Sequence, residues 1–251
     1  MKIRVGTYNV CHCGDYSKHK EGDPFQLKVL DIEQTARAIK SLECDVIGLN
    51  EVYNNGTSPR EEFKLQTEKL ARLAGYPYYY YAQGHDYETT DIGNAILSKY
   101  PVKNFEKITV PTVPEEERTG GYWYENRVLA IADVDFNGTI VKVVETHFGL
   151  APVELDRIVE KSCSIIDESK FPVVLMGDLN VKPDNPALNE ISKRLKSAAA
   201  EMNNDEFTFA SYNPKIHIDY IFVPKNSKVL SYEVHKLKAS DHMPITADIE
   251  L

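Results

Sequence analysis

The sequence predicts an α/β protein in which sheets are covered by helices, a layered sandwich. Three observations predict it. Short runs of β-branched and apolar residues recur along the chain and read as strands. Segments with apolar residues at helical spacing lie between some of these runs. Elsewhere two runs are joined by a tight turn, Asn137-Gly138, so hairpins are mixed with strand–helix alternation.

Taken in order, Ile3–Asn9 is a strand. Residues 27–42 place Leu27, Leu30, Ile32, Thr35, Ala38, Ile39 and Leu42 on one helical face. Asp45–Asn50 is a second, buried strand that runs into Glu51. Residues 61–74 form a helix stopped by Gly75 and Pro77. Tyr78–Tyr81, if extended, alternates two tyrosines inward and two outward, a packing role more than a base-stacking one. Ile92–Ser98, Val128–Asp135 and Thr139–Thr146 are strands, and Leu155–Ser169 is helical. Phe171–Met176 is apolar and β-branched, with Pro172 arguing against a helix, and it leads into Gly177-Asp178-Leu179-Asn180. A helix near 185–196 and strands at Ile218–Val223 and Ile245–Leu251 complete the chain.

No internal repeat or low-complexity linker interrupts this order, so residues 1–251 read as one domain, expected to be a monomer. The hydrophobic share, 42%, suffices for a large core. A formal charge of −9 argues against coating nucleic acid, which relies on many Lys/Arg–phosphate contacts. It leaves room for a local basic patch or metal-assisted phosphate binding. No run approaches a membrane span, and the amino terminus is strand-like rather than a leader, so the cytoplasm is the default location. Cys11-His12-Cys13 lacks a second nearby Cys/His pair, so reduced thiols are expected for Cys11, Cys13, Cys44 and Cys163 rather than a structural zinc site.

The strands end in polar groups. Asp178 and Asn180, two residues apart at a strand end, point to the same side of the chain, an arrangement suited to holding water or phosphate. Asn9, Glu51 and His147 also end or follow strands, Asp219 sits in His217–Val223, and Asp241-His242 precede the last strand. Sites in α/β proteins gather where strands give way to loops. Asn9, Glu51 and Asp241 are hard oxygen donors of the kind Mg²⁺ or Mn²⁺ takes, with water and substrate in the remaining positions.

Seven segments, in order, resemble the endonuclease/exonuclease/phosphatase family, the deoxyribonuclease-I-like metal-dependent phosphoesterases. They are Thr7–Asn9, Asp45–Glu51, Gly93–Ser98, Thr146-His147, Gly177–Asn180, Ile218–Phe222 and Ser240–His242. Each string alone is weak; the ordered set spans nearly the whole chain. The resemblance implies a four-layer sandwich of two mixed sheets packed face to face with helices outside. It implies Glu51 as main metal ligand, with Asn9 and Asp241 close by, and Mg²⁺ or Mn²⁺ as cofactor. It implies Asp178 as general base or water-orienting residue, Asn180 holding phosphate or water, and His147 and His242 donating to phosphate oxygens, His242 oriented by Asp219. A carboxylate on an imidazole raises its pKa and fixes its tautomer. Asn94 resembles a position near the scissile phosphate. Arg127 offers a fork-shaped phosphate donor, weighed evenly against an ordinary salt bridge.

The expected reaction is metal-dependent hydrolysis of a phosphate ester, with a small phosphodiester or a nucleic-acid end as substrate. The alternatives are a nuclease on polymeric DNA or RNA, and a non-catalytic metal- or phosphate-binding module. No basic arm for duplex binding and no long apolar hairpin is evident. The acidic stretch Val113–Arg118 is expected near the cleft, where it would repel a long polyanion. Trp123, between two tyrosines after Gly120-Gly121, is a candidate cleft-lining residue.

Overall fold

The structure is a computed structural model; it describes residues 1–23, 29–56, 58, 61–87 and 90–251. The strands are β1 (Lys2–Asn9), β2 (Val46–Tyr53), β3 (Tyr78–Tyr87), β4 (Thr90–Ser98), β5 (Val102–Val110), β6 (Arg127–Phe136), β7 (Thr139–Thr146), β8 (Val173–Asp178), β9 (Leu195–Ser197), β10 (Asp219–Pro224), β11 (Lys228–Val234) and β12 (Ile245–Glu250). The helices are α1 (Ile32–Ser41), α2 (Gln66–Ala74), α3 (Pro152–Glu168), α4 (Ala187–Ser192) and α5 (Ala198–Glu201).

The strands form two six-stranded sheets, ordered β11-β12-β1-β2-β4-β3 and β5-β6-β7-β8-β10-β9. Each is mixed: β1–β2 and β7–β8 run parallel, and their other neighbours antiparallel. The layers follow from strand parity. Val46 faces the core between the sheets while Ile47 and Leu49 face α1 and α2; Ile96 and Leu97 divide the same way. In the second sheet Val174, Met176, Ile221 and Val223 face inward, and Val173, Leu175, Tyr220 and Phe222 pack toward α3 and α4. The result is helix, sheet, sheet, helix: the four-layer α/β sandwich.

That parity builds the site. Continued by twos, the inner face of β1 runs Ile3, Val5, Thr7, Asn9 and that of β8 runs Val174, Met176, Asp178. Asn50 on β2, Asn94 on β4 and Asp219 on β10 have the same parity as the core residues Val46, Ile96 and Ile221. At one end of the sandwich the inner faces therefore change from apolar to polar. Asp178 and Asp219 are register partners across β8 and β10, and Asn9 pairs Asn50.

Several elements differ from the sequence expectation. Helix α1 begins at Ile32, because Asp31 caps it by accepting from Gln34 N–H at 2.8 Å and Leu30 is already bridged to Gly14. Leu27 lies outside the described residues. Residues 61–74 divide into a 3-10 turn and α2, separated by Leu65 at φ 49°; Gly75, left-handed, closes the helix as expected. The helix near 185–196 is only Ala187–Ser192, because Leu195–Ser197 leaves it to pair with β10. None of Tyr78–Tyr81 is fully buried: Tyr79 is exposed, and Tyr80 stacks on Phe105. The edge strands β5 and β11 carry no strong sequence signal, since one runs mostly exposed and polar and the other contains a bulge.

Candidate active site

The polar ends of the strands open into a cavity of about 770 Å³. Its walls include Glu51, Asp241 and His12 on one side and His147, Asp178, Asn180 and His242 on the other, and the buried Arg127 and Glu125 and the exposed Trp123 also line it. None of residues 113–118 lines it; the acidic turn Glu115–Glu117 is exposed elsewhere.

Asp178 is the hub. Its Oδ1 accepts from the Asn180 backbone N–H at 2.9 Å, and its Oδ2 accepts from Asn9 Nδ2 at 3.1 Å. Oδ2 also lies 3.4 Å from His147 Nε2 and 3.5 Å from His242 Nε2. The Asp178 N–H donates to Asn50 Oδ1 at 2.9 Å, which ties this strand end to the other sheet. Burial pushes the Asp178 carboxyl up to about 7, with Asp219 adding to the rise and His242 opposing it. Gly177 makes this approach possible. Its φ is +141°, and a Cβ there would sit 1.8 Å from the Thr146 carbonyl oxygen.

The two histidines of this wall are in opposite states. His242 Nδ1 lies 3.1 and 3.0 Å from the two Asp219 oxygens, so Nδ1 carries a proton and Nε2 faces Asp178. Burial alone lowers a histidine, but the charges of Asp219 and Asp178 outweigh it and raise His242 well above its ordinary value. For His147, burial and the Arg127 charge outweigh the nearby carboxylates and lower it to about 3. The Asn180 amide nitrogen is identified by its bond to the Phe148 carbonyl at 3.0 Å, since a carbonyl only accepts. The same nitrogen donates to His147 Nε2 at 2.9 Å, so His147 carries its proton on Nδ1.

On the opposite wall Glu51, at φ 56°, accepts from Asn9 Nδ2 at 2.9 Å. Its carboxyl is held at about 2: burial raises it, but His12, His147 and the Asn9 amide more than offset that. Burial pushes both of those rings toward neutrality, so near pH 7 the lowering contributions that persist are the Asn9 bond and the charge of His242. Asn9 does not present an oxygen to the cleft. Its Oδ1 accepts from the Cys11 N–H at 3.0 Å, which leaves Nδ2 bridging Glu51 and Asp178. Asp241 is buried beside them, accepts from Ser240 Oγ at 3.1 Å, and is raised by burial.

Two predicted substrate contacts sit differently. Asn94 is committed at both ends, accepting from Asn50 Nδ2 at 3.0 Å and donating to the Val128 carbonyl at 2.7 Å, and it does not line the large cavity. It braces the strand ends. Arg127 does line the cavity; its Nη1 is 3.3 Å from Glu125 Oε2, while its buried Nε has no partner among the described residues. Sequence reasoning assigned no role to His12, Asn50 or Glu125. Asn50 had a signal in its shared parity with Val46, whereas His12 and Glu125 are placed by loop geometry.

Among the described residues, ligand-type atoms form three groups, each within 4.8 Å: Cys11, His12 and Glu51; Glu51, His147 and Asp178; Asp178, Asp219 and His242. They share Glu51 and Asp178, so they run as one string across the cleft. An ionised carboxylate beside buried carboxyl and imidazole groups is a donor set that a divalent cation fits.

The profile of the endonuclease/exonuclease/phosphatase family matches residues 6–242. The chain belongs to that family. Among its relatives, the uncharacterized protein YbhP of Escherichia coli K12 is 25% identical over 236 residues, covering 85% of this chain and 86% of YbhP. An endonuclease/exonuclease/phosphatase from Beutenbergia cavernae has the same fold at TM-score 0.78 and 24% identity, over 100% of this chain and 72% of that one. A mannosyl-6-phosphatase from Bacteroides thetaiotaomicron superposes at TM-score 0.69 and 17% identity, over 99% of this chain and 100% of that one. As a family member the chain carries its polar strand ends at one end of the sandwich, where the acidic and imidazole groups able to bind a metal ion collect.

Proposed function

We propose that this chain is a divalent-metal-dependent phosphoesterase, working as one catalytic unit on a small phosphodiester or a nucleic-acid end. The observation that supports it most is the relay Asp219–His242–Asp178, placed across one cleft from an ionised Glu51.

Glu51 and Asp241 would hold the cation, Mg²⁺ or Mn²⁺, with Asn9 orienting Glu51 through its amide rather than ligating. The cation, when bound, neutralises phosphate charge and favours departure of the leaving oxygen. The remaining chemistry belongs to the protein. Asp178, poised at about 7, accepts the proton of the attacking water. His242, charged and fixed by Asp219, donates from Nε2 to a phosphate oxygen as negative charge grows. His147, neutral, accepts from the Asn180 amide nitrogen and, with the Phe148 carbonyl, fixes the orientation of that side chain. Arg127 supplies a guanidinium to the cavity wall.

The walls support a small substrate. A cavity of about 770 Å³ lined in part by Trp123 and Glu125 accommodates one ester and its neighbouring group better than a duplex. The structural likeness to a mannosyl-6-phosphatase supports including monoesters among the candidates. The test is hydrolysis of a panel: a chromogenic phosphodiester, phosphomonoesters including sugar phosphates, inositol phosphates, sphingomyelin, DNA and RNA. Each is run with Mg²⁺, Mn²⁺ or chelator, against an Asp178→Asn control. Metal-dependent turnover missing from the control is the expected result. Equal rates for wild type and Asp178→Asn would remove the assignment. Metal binding with no turnover on any ester would favour a binding module.

A further inference from the structure

We propose that His12 is a ligand of the cation held by Glu51, so that this site takes an ion tolerant of mixed nitrogen and oxygen donors, such as Mn²⁺ or Zn²⁺, in preference to Mg²⁺. The inference rests on the metal-dependent reading above and deepens it.

The tautomer is the first argument. His12 Nδ1 lies 3.1 Å from the Glu51 backbone carbonyl, and a carbonyl oxygen can only accept, so Nδ1 bears the proton. The other nitrogen, Nε2, then faces the Glu51 carboxylate Oε2 at 3.3 Å. A ring anchored through N–H to a carbonyl, with its second nitrogen turned to a carboxylate in an open cleft, is how an imidazole is presented to a metal. The ring plane is also fixed: Tyr53 stacks on it at 4.1 Å and 6°. Gln66 Nε2 donates to the His12 carbonyl at 2.9 Å and holds the backbone from the other side.

The backbone is the second argument. Cys11, His12 and Cys13 have φ of 40°, 58° and 66°, three consecutive non-glycine residues in the left-handed region. Glu51 is left-handed as well. Such conformations are costly, and they persist where surrounding structure holds them for a purpose. Here the purpose common to both segments is that His12 and Glu51 meet.

The third argument is substitution of one donor by another. Asn9 spends its oxygen on the Cys11 N–H, so this wall lacks the amide oxygen that an all-oxygen site would use. The loop that takes that oxygen, at Cys11, supplies an imidazole nitrogen from the next residue, His12. One nitrogen among carboxylate oxygens shifts preference away from Mg²⁺, which keeps to oxygen ligands and water. The thiol of Cys11 belongs to the same group of atoms but is engaged by Tyr16 Oη at 3.3 Å.

The test uses the full chain with Mn²⁺ as the probe. Pulsed electron paramagnetic resonance reads nitrogen coordinated to Mn²⁺, and continuous-wave titration reads affinity, with Mg²⁺ measured by competition. The variant is His12→Asn, since asparagine tolerates the left-handed backbone; His12→Gln is the second variant if the first unfolds on circular dichroism. We expect a ¹⁴N coupling in wild type that is lost in His12→Asn and kept in His147→Asn. We expect the Mn²⁺ dissociation constant to rise about tenfold or more, with a much smaller change for Mg²⁺. Mn²⁺ binding without that coupling, or coupling that survives His12→Asn, would overturn the role of His12 and leave the phosphoesterase reading standing; it would mark His12–Glu51 as an ion pair. Failure of wild type to bind Mn²⁺ at all would overturn both.

Discussion

Across the cleft, carboxyl and imidazole groups are pushed in opposite directions from their ordinary pKa values. On the wall of the first sheet, Glu51 is held at about 2 and stays ionised. On the wall of the second, the more deeply buried Asp178 is pushed up to about 7. The difference lies in neighbours. Both meet imidazoles and the Asn9 amide, but Asp178 is sunk deeper and has Asp219 nearby. The histidines repeat the lesson within one wall: His242 is backed by a carboxylate and gains a proton, and His147 is backed by Arg127 and loses one. In the proposed reaction one wall would hold the cation and the other would move protons.

The comparison can be broken at its strongest point. Asp178→Asn should lower turnover by about 10²–10⁴-fold, the range for a lost general base, while the melting temperature holds or rises because a buried carboxyl is removed. Equal kcat in the two proteins would contradict the proton-transfer wall. Asp219→Asn should come next, with a loss of about 10²-fold and a fall in the His242 pKa followed by NMR. An unshifted His242 resonance would show that Asp219 does not control it. Glu51→Gln should act on the other wall, raising the metal concentration for half-activation by about tenfold or more.

The smallest effect sharpens the comparison at a further carboxyl of the cavity. Glu125 is pushed by burial to about 7, against the pull of Arg127. A carboxyl raised on folding contributes stability that is complete below its unfolded pKa of about 4.5 and lost as pH rises through about 7. The metal-free protein should therefore lose stability between these values, and Glu125→Gln should flatten the loss by on the order of 2–3 kcal/mol. Thermal melts at pH 5 and pH 8 measure it; an unchanged slope would mean that Glu125 ionises freely.

Most central strands were legible along the chain because their apolar residues stand out against the polar groups beside them. Phe171–Asn180 shows this: the apolar run fixes a buried strand, Gly177 permits the contact with Thr146, and Asp178 emerges at the edge of the core. Edge strands were not legible, since Val102–Val110 is mostly exposed and resembles a loop in composition. The site divides similarly. Asp178, Asp219 and His242 were readable as strand-end groups. The commitments of Asn9 and Asn94 were not, because an amide has two ends and only tertiary structure decides which end meets which neighbour. His12 was hidden by its flanking cysteines, which drew attention to a closed zinc site; Glu51 lies 39 residues away in the chain.

The most direct measurement is the rate of hydrolysis of a chromogenic phosphodiester as Mn²⁺ is raised, for wild type, Glu51→Gln and Asp178→Asn side by side. The account predicts that high Mn²⁺ restores much of the activity of Glu51→Gln and none of that of Asp178→Asn. If both variants respond to the metal alike, or if wild type turns over equally in chelator, the division of labour between the two walls is contradicted.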